Sequence, residues 1–132
     1  MSRFLRSPRL ALTALLVAVA AATAASAPAA RFHTRLVKSA PAKDTTIAAA
    51  PKALELWFSE RIDLKASRVR LTDATGRAVE LAALTRDDAA ENAPVVAGIT
   101  GTMAAGQYTV NWAAASGDGH PVQGSFNFTV RP

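Results

Sequence analysis

Gln107-Tyr108-Thr109-Val110-Asn111-Trp112 and Val122-Gln123-Gly124-Ser125-Phe126-Asn127-Phe128-Thr129-Val130 are the stretches that decide the fold class. Tyr108, Val110 and Trp112 alternate with polar residues in the first. Val122, Phe126, Phe128 and Val130 share one face of the second. A repeat of two is the signature of a strand with one buried face, because successive side chains point to opposite sides. Working outward, Ala53-Leu54-Glu55-Leu56-Trp57-Phe58 places Leu54, Leu56 and Phe58 together, and Arg68 to Thr72 turns Val69 and Leu71 inward. Asp73-Ala74-Thr75-Gly76 supplies a turn, with Ala78 to Leu81 as the returning strand. Leu36-Val37 and Val95 to Ile99 are further strands, and Thr85 to Asn92 is polar enough for a loop or one helical turn. Trp57, Phe58, Trp112, Phe126 and Phe128 fall on strand faces with aliphatic neighbours and are expected in the core. About seven short strands with turn signals between them predict an all-β, immunoglobulin-like sandwich or barrel.

The beginning of the chain is a different kind of polymer. Arg3, Arg6 and Arg9 are followed by an uncharged run from Leu10 to Ala25 and then by small residues, Ser26-Ala27-Pro28-Ala29-Ala30. A basic start, an apolar middle and an Ala-x-Ala exit describe a secretory signal peptide over residues 1–29. The run is too alanine-rich for a lasting membrane span, which needs about 20 strongly apolar residues. Cleavage after Ala27 and cleavage after Ala29 both satisfy the small-residue rule; a cut after Ala30 and an earlier cut within the alanine run are further choices. The expected domain is residues 30–132, with twelve basic and ten acidic side chains. Its net charge is therefore +2 rather than the +5 of the whole chain. With no basic cluster among aromatics, nucleic acid is not an expected partner. Nor is stable membrane insertion expected once the signal is removed. The absence of cysteine excludes disulfide scaffolds, zinc ribbons, iron–sulfur centres and thiol enzymes.

Catalytic signatures are missing: there is no GxSxG elbow, Gly-rich phosphate loop, HExxH or EF-hand loop. Attention falls on the two histidines, His33 and His120. In Ser116-Gly117-Asp118-Gly119-His120-Pro121, an extended backbone puts Asp118 and His120 on one side, where a carboxylate and an imidazole chelate a metal. The alternative is a turn shaped by Asp118 and Gly119, with His120 capping it or solvated. His33 precedes the first strand, and first and last strands often lie close in a sandwich, which would bring it to the Asp118–His120 loop. Two imidazoles and a carboxylate suit a tetragonal Cu(II) site. Met103 is the one thioether after residue 1, so a soft Cu(I) site has no evident ligands.

The ordered set His33-x-x-Leu36-x-x-Ser39-x-Pro41-Ala42, Leu56-x-Phe58-Ser59-Glu60, Gly106-x-Tyr108-x-Val110-x-Trp112 and Ser116-x-Asp118-x-His120-Pro121-x-x-Gly124-x-Phe126 resembles the CopC family of periplasmic copper-binding domains. The resemblance implies a seven-stranded Greek-key sandwich or barrel and one Cu(II) per chain, bound by His33, Asp118 and His120. It also implies that Glu60 lies near the copper, as a weak ligand or a partner of the ligands; the plainer reading is a surface carboxylate facing Arg61 or Lys65. A methionine-rich Cu(I) site of the family has no counterpart here. The expected role is periplasmic buffering or carriage of copper for resistance or uptake, not catalysis. An inner-membrane copper transporter or a periplasmic multicopper oxidase would be the receiving partner. A β-sandwich module with a degenerate metal site is the alternative, and a copper-dependent oxidative enzyme a more distant one. One departure stands out: Phe32 precedes His33, so each of these cuts leaves the free amine away from that histidine.

Overall fold

The alternation described above becomes two packed sheets. The computed structural model describes residues 33–117 and 119–132. The expected signal at 1–29 lies outside the described residues, as does Asp118. The strands are β1 (Leu36–Ala40), β2 (Thr46–Ile47), β3 (Ala53–Phe58), β4 (Asp63–Asp73), β5 (Ala78–Val79), β6 (Val95–Gly98), β7 (Gly106–Ala115) and β8 (Pro121–Val130). One sheet has the order β1-β3-β6, and the other has the order β2-β8-β7-β4-β5. The all-β sandwich expected from the periodicity is therefore present, with eight strands among the described residues rather than seven. The additional element is β2, two residues that run parallel to the end of β8.

Between the sheets lie Leu54 and Leu56 of β3, Leu71 of β4, Tyr108, Val110 and Trp112 of β7, and Phe126, Phe128 and Val130 of β8. Burying each large apolar side chain stabilises the fold by about 1.5–3 kcal/mol. Tyr108 stacks on Phe128 at 5.7 Å, and its hydroxyl donates to the Ala104 carbonyl at 2.7 Å. Phe58 is half-buried and meets Trp112 edge-on at 5.3 Å, joining the two sheets near one end.

Two expectations need correction. Trp57 is not in the core: it alternates out of phase with Leu56 and Phe58, and lies half-buried with the Lys38 ammonium 4.5 Å from its ring centroid. A cation over the indole face accounts for its position on the outer side. The returning strand is also shorter than Ala78 to Leu81. After Val79 the chain leaves β4 and crosses to the other sheet, where Leu81 bridges Ile99 and Thr85 bridges Val96. Ala82 N–H donates to the Gly98 carbonyl at 2.8 Å on the way. Thr85 to Asn92 contains no helix; beyond Thr85 it forms turns, one closed by Ala90 N–H to the Asp87 carbonyl at 3.2 Å.

Candidate metal centre

One end of the sandwich gathers three segments. Residues 33–35 lead into β1, Ser59 to Ile62 connect β3 to β4, and residues 116–120 join β7 to β8. Their common location follows from the register. Leu36 pairs with Phe58, Asp63 with Ala115, and Ala115 with Pro121. The Phe58–Trp112 contact ties these sheet ends together. A groove lined by Leu36 and Val37 on one side and Trp112, Gly124 and Phe126 on the other shows that β1 and β8 face each other across the seam. His33 and His120, both exposed, thus belong to the same end of the domain.

Local chemistry explains why each segment sits where it does. The β3–β4 connection is anchored by buried Ile62. Where β4 departs from regular pairing between Asp63 and Arg68, the buried Ser67 hydroxyl repairs the gap. It donates to the Asp63 carbonyl at 2.6 Å and accepts the Ala115 N–H at 3.0 Å. That fixes the end of β7, from which the histidine loop departs. The loop turns tightly: Gly119 N–H donates to the Ser116 carbonyl at 3.0 Å, with Gly119 at φ +76°. Only glycine adopts that left-handed backbone without steric cost, and His120 follows at once.

Glu60 is exposed, but it is not a carboxylate paired with Arg61. Its Oε1 accepts a hydrogen bond from the Thr34 hydroxyl, next to His33. Arg61 instead pairs with Asp88, which Arg86 also holds at 2.9 Å. The Arg86 hydrogen bond, reinforced by the Arg61 charge, keeps the Asp88 carboxyl below its ordinary range. Among the described residues no ion pair involves Glu60 or Lys65. The structure therefore brings His33, Glu60 and His120 to one end. The described residues contain no cluster of three or more His, Cys, Asp or Glu side chains positioned to share a metal, and Asp118 is not among them.

Thr34 and Ser67 went unnoticed in the sequence, since isolated hydroxyls among many carry no pattern. The one available signal was that Thr34 directly follows a candidate ligand.

The profile of the CopC domain matches residues 36–131. The chain belongs to the CopC family. Copper resistance protein C of Escherichia coli is 35% identical over 105 residues, covering 75% of this chain and 82% of that one. The protein of the same name from Pseudomonas syringae pv. tomato is 34% identical over 106 residues, 77% and 83% of the two chains. Among solved structures, CopC from Methylosinus trichosporium OB3b superposes with a TM-score of 0.68 at 29% identity, covering 76% of this chain and 95% of that one. PcoC from Escherichia coli, described as a methionine-rich copper resistance protein, gives 0.62 at 32% identity, covering 75% and 99%. This CopC domain differs in composition from such a protein: Met103 is the one methionine after residue 1. His33 lies three positions ahead of the matched region.

Proposed function

We propose that this CopC-family chain binds one Cu(II) in the periplasm and buffers or carries it for resistance or uptake. The ligands would be the imidazoles of His33 and His120 and the carboxylate of Asp118, with Glu60 as a further oxygen donor or a partner of the ligands. The observation that carries this reading is the convergence of the His33 segment, Glu60 and the His120 loop on one end of the sandwich. Nitrogen and carboxylate oxygen donors without a thiolate favour Cu(II), which also tops the divalent affinity series. Relatives named copper resistance proteins support copper as the cargo. No helix among the described residues is long and apolar enough to cross a membrane. Release to an inner-membrane transporter or a multicopper oxidase would complete a carrier's task.

Electron paramagnetic resonance of the natively exported protein with one equivalent of Cu(II) tests the site. A tetragonal signal with nitrogen hyperfine structure is expected, and His33→Ala or His120→Ala should each abolish that pattern. A spectrum like that of free copper would instead leave a β-sandwich module with a degenerate metal site. The intact mass of the same sample reports where the leader was cut, and so how far the amine stands from His33.

Acidification provides an independent check. Protons compete with Cu(II) for imidazole nitrogen, so the apparent affinity should fall as the buffer is acidified. A flat titration would exclude imidazole ligation.

A further inference from the structure

Four polar residues are buried among the described residues: Thr34, Ser39, Ser67 and Ser116. Ser39 donates to a nearby carbonyl and Ser67 repairs a strand irregularity. Thr34 is different. It is 2% exposed, yet its hydroxyl donates to the carboxylate of an exposed residue from another strand connection, Glu60. The next residue continues the link: Arg35 N–H donates to Ser59 Oγ at 3.0 Å, and Ser59 N–H donates to the Arg35 carbonyl at 2.9 Å. Three hydrogen bonds thus carry the β1–β3 association past its last ladder pair, Leu36 with Phe58, to the residue adjoining His33.

A threonine hydroxyl has one proton to donate, and here it is committed to Glu60 Oε1. A hydrogen bond to an ionised acceptor is stronger than one between neutral groups. Thr34 is buried, so depriving its hydroxyl of the partner leaves a polar group that has lost its solvation. Two consequences follow for the end of the sandwich. Glu60 is held beside Thr34, the residue that follows His33, with one carboxylate oxygen engaged. His33 is held from its C-terminal side, through Thr34 and Arg35, whatever residue the mature chain begins with.

Building on the copper reading above, we propose that Thr34 is a positioning residue for the site. It locks Glu60 and the His33 segment into one unit, and so fixes how that segment enters the end of the sandwich where the copper reading places the ion. Groups that orient metal ligands without touching the metal commonly change affinity by about 10–100-fold when removed.

Thr34→Val keeps the shape and deletes the hydroxyl, and Thr34→Ser keeps the hydroxyl on a smaller side chain. In the metal-free protein, amide hydrogen exchange at Arg35 and Ser59 should accelerate about tenfold in Thr34→Val and remain near the wild-type rate in Thr34→Ser. With Cu(II), a chelator competition should show affinity about tenfold weaker in Thr34→Val, together with a changed copper hyperfine splitting. Both should be restored in Thr34→Ser. Wild-type affinity and an unchanged spectrum in Thr34→Val would overturn the positioning role. So would faster exchange throughout both sheets in both variants, which marks a general packing defect. If the wild-type protein itself binds no Cu(II), the copper reading fails and the role toward a metal fails with it. The exchange rates at Arg35 and Ser59 then show separately whether the Thr34–Glu60 link exists.

Discussion

Phe128→Ala is expected to destabilise the domain by about 3–5 kcal/mol, a large share of the roughly 5–15 kcal/mol that holds a typical domain together. Phe128 is 1% exposed, on the central face of the five-stranded sheet. Its ring stacks on Tyr108, which is itself tethered to the Ala104 carbonyl and so is poorly placed to collapse into the space left behind. Leu54, Leu56, Leu71 and Val110 belong to the same core cluster and are fully buried, so filling the cavity would require shifts in both sheets. No disulfide supplements the core. Equilibrium urea unfolding checks this: the midpoint should fall sharply with little change in slope. A loss below about 1 kcal/mol would mean that the core repacks around the cavity, contrary to the tethering of Tyr108.

Gly124→Ala should also destabilise the protein, although it adds a single methyl group to a strand. Gly124 pairs with Trp112 across β7 and β8, and the indole lies over it. An added Cβ would stand 2.6 Å from Trp112 Cζ2 and 2.8 Å from Cε2, closer than atoms tolerate. Ordinarily alanine in a strand is preferred over glycine, because glycine loses more conformational freedom on folding. Here the steric term wins. The indole cannot retreat freely, since Phe58 of the other sheet meets it edge-on at 5.3 Å. Overpacking of this kind costs about 1–3 kcal/mol. Tryptophan fluorescence during denaturation should show a lower midpoint and an altered native emission. Trp112→Phe in the same chain should make the second change less costly, because neighbours that share a clash are not additive. Equal costs for Gly124→Ala in both backgrounds would show that the indole is not the obstacle.

Much of this architecture was legible because strand alternation is local. Leu54, Leu56, Tyr108, Val110, Trp112, Phe126, Phe128 and Val130 are buried where a repeat of two puts them. Trp57 departs from the expected core because strand phase outweighs residue type. Its two neighbours already occupied the inner face, and a lysine from the adjacent strand covers the indole outside. β2 had no signal at all, since Thr46 and Ile47 are a strand only by virtue of the end of β8 beside them. The crossing after Val79 was hidden in the same way. At the candidate metal centre, the histidines and Glu60 were legible as residue types in recurring motifs. Their convergence depends on the ends of two sheets meeting, and the Thr34–Glu60 bond depends on a burial that no hydroxyl announces in a sequence.

The stretch from Glu80 to Thr85 has a consequence for how the domain comes apart. It leaves the edge of the five-stranded sheet and hydrogen-bonds along β6 of the three-stranded one. Ala82 N–H reaches the Gly98 carbonyl at 2.8 Å, and Thr85 exchanges bonds with Val96 at 3.0 and 2.8 Å. Going the other way, Thr100 and Gly101 N–H groups both return to the Glu80 carbonyl at 3.0 Å. The two layers are therefore laced through their backbones as well as pressed together by side chains. Fraying at the margin of one layer pulls on the margin of the other, which works against any half-melted species that keeps a single layer intact. In a small domain without cross-links this lacing adds to the all-or-none unfolding that domains of this size usually show.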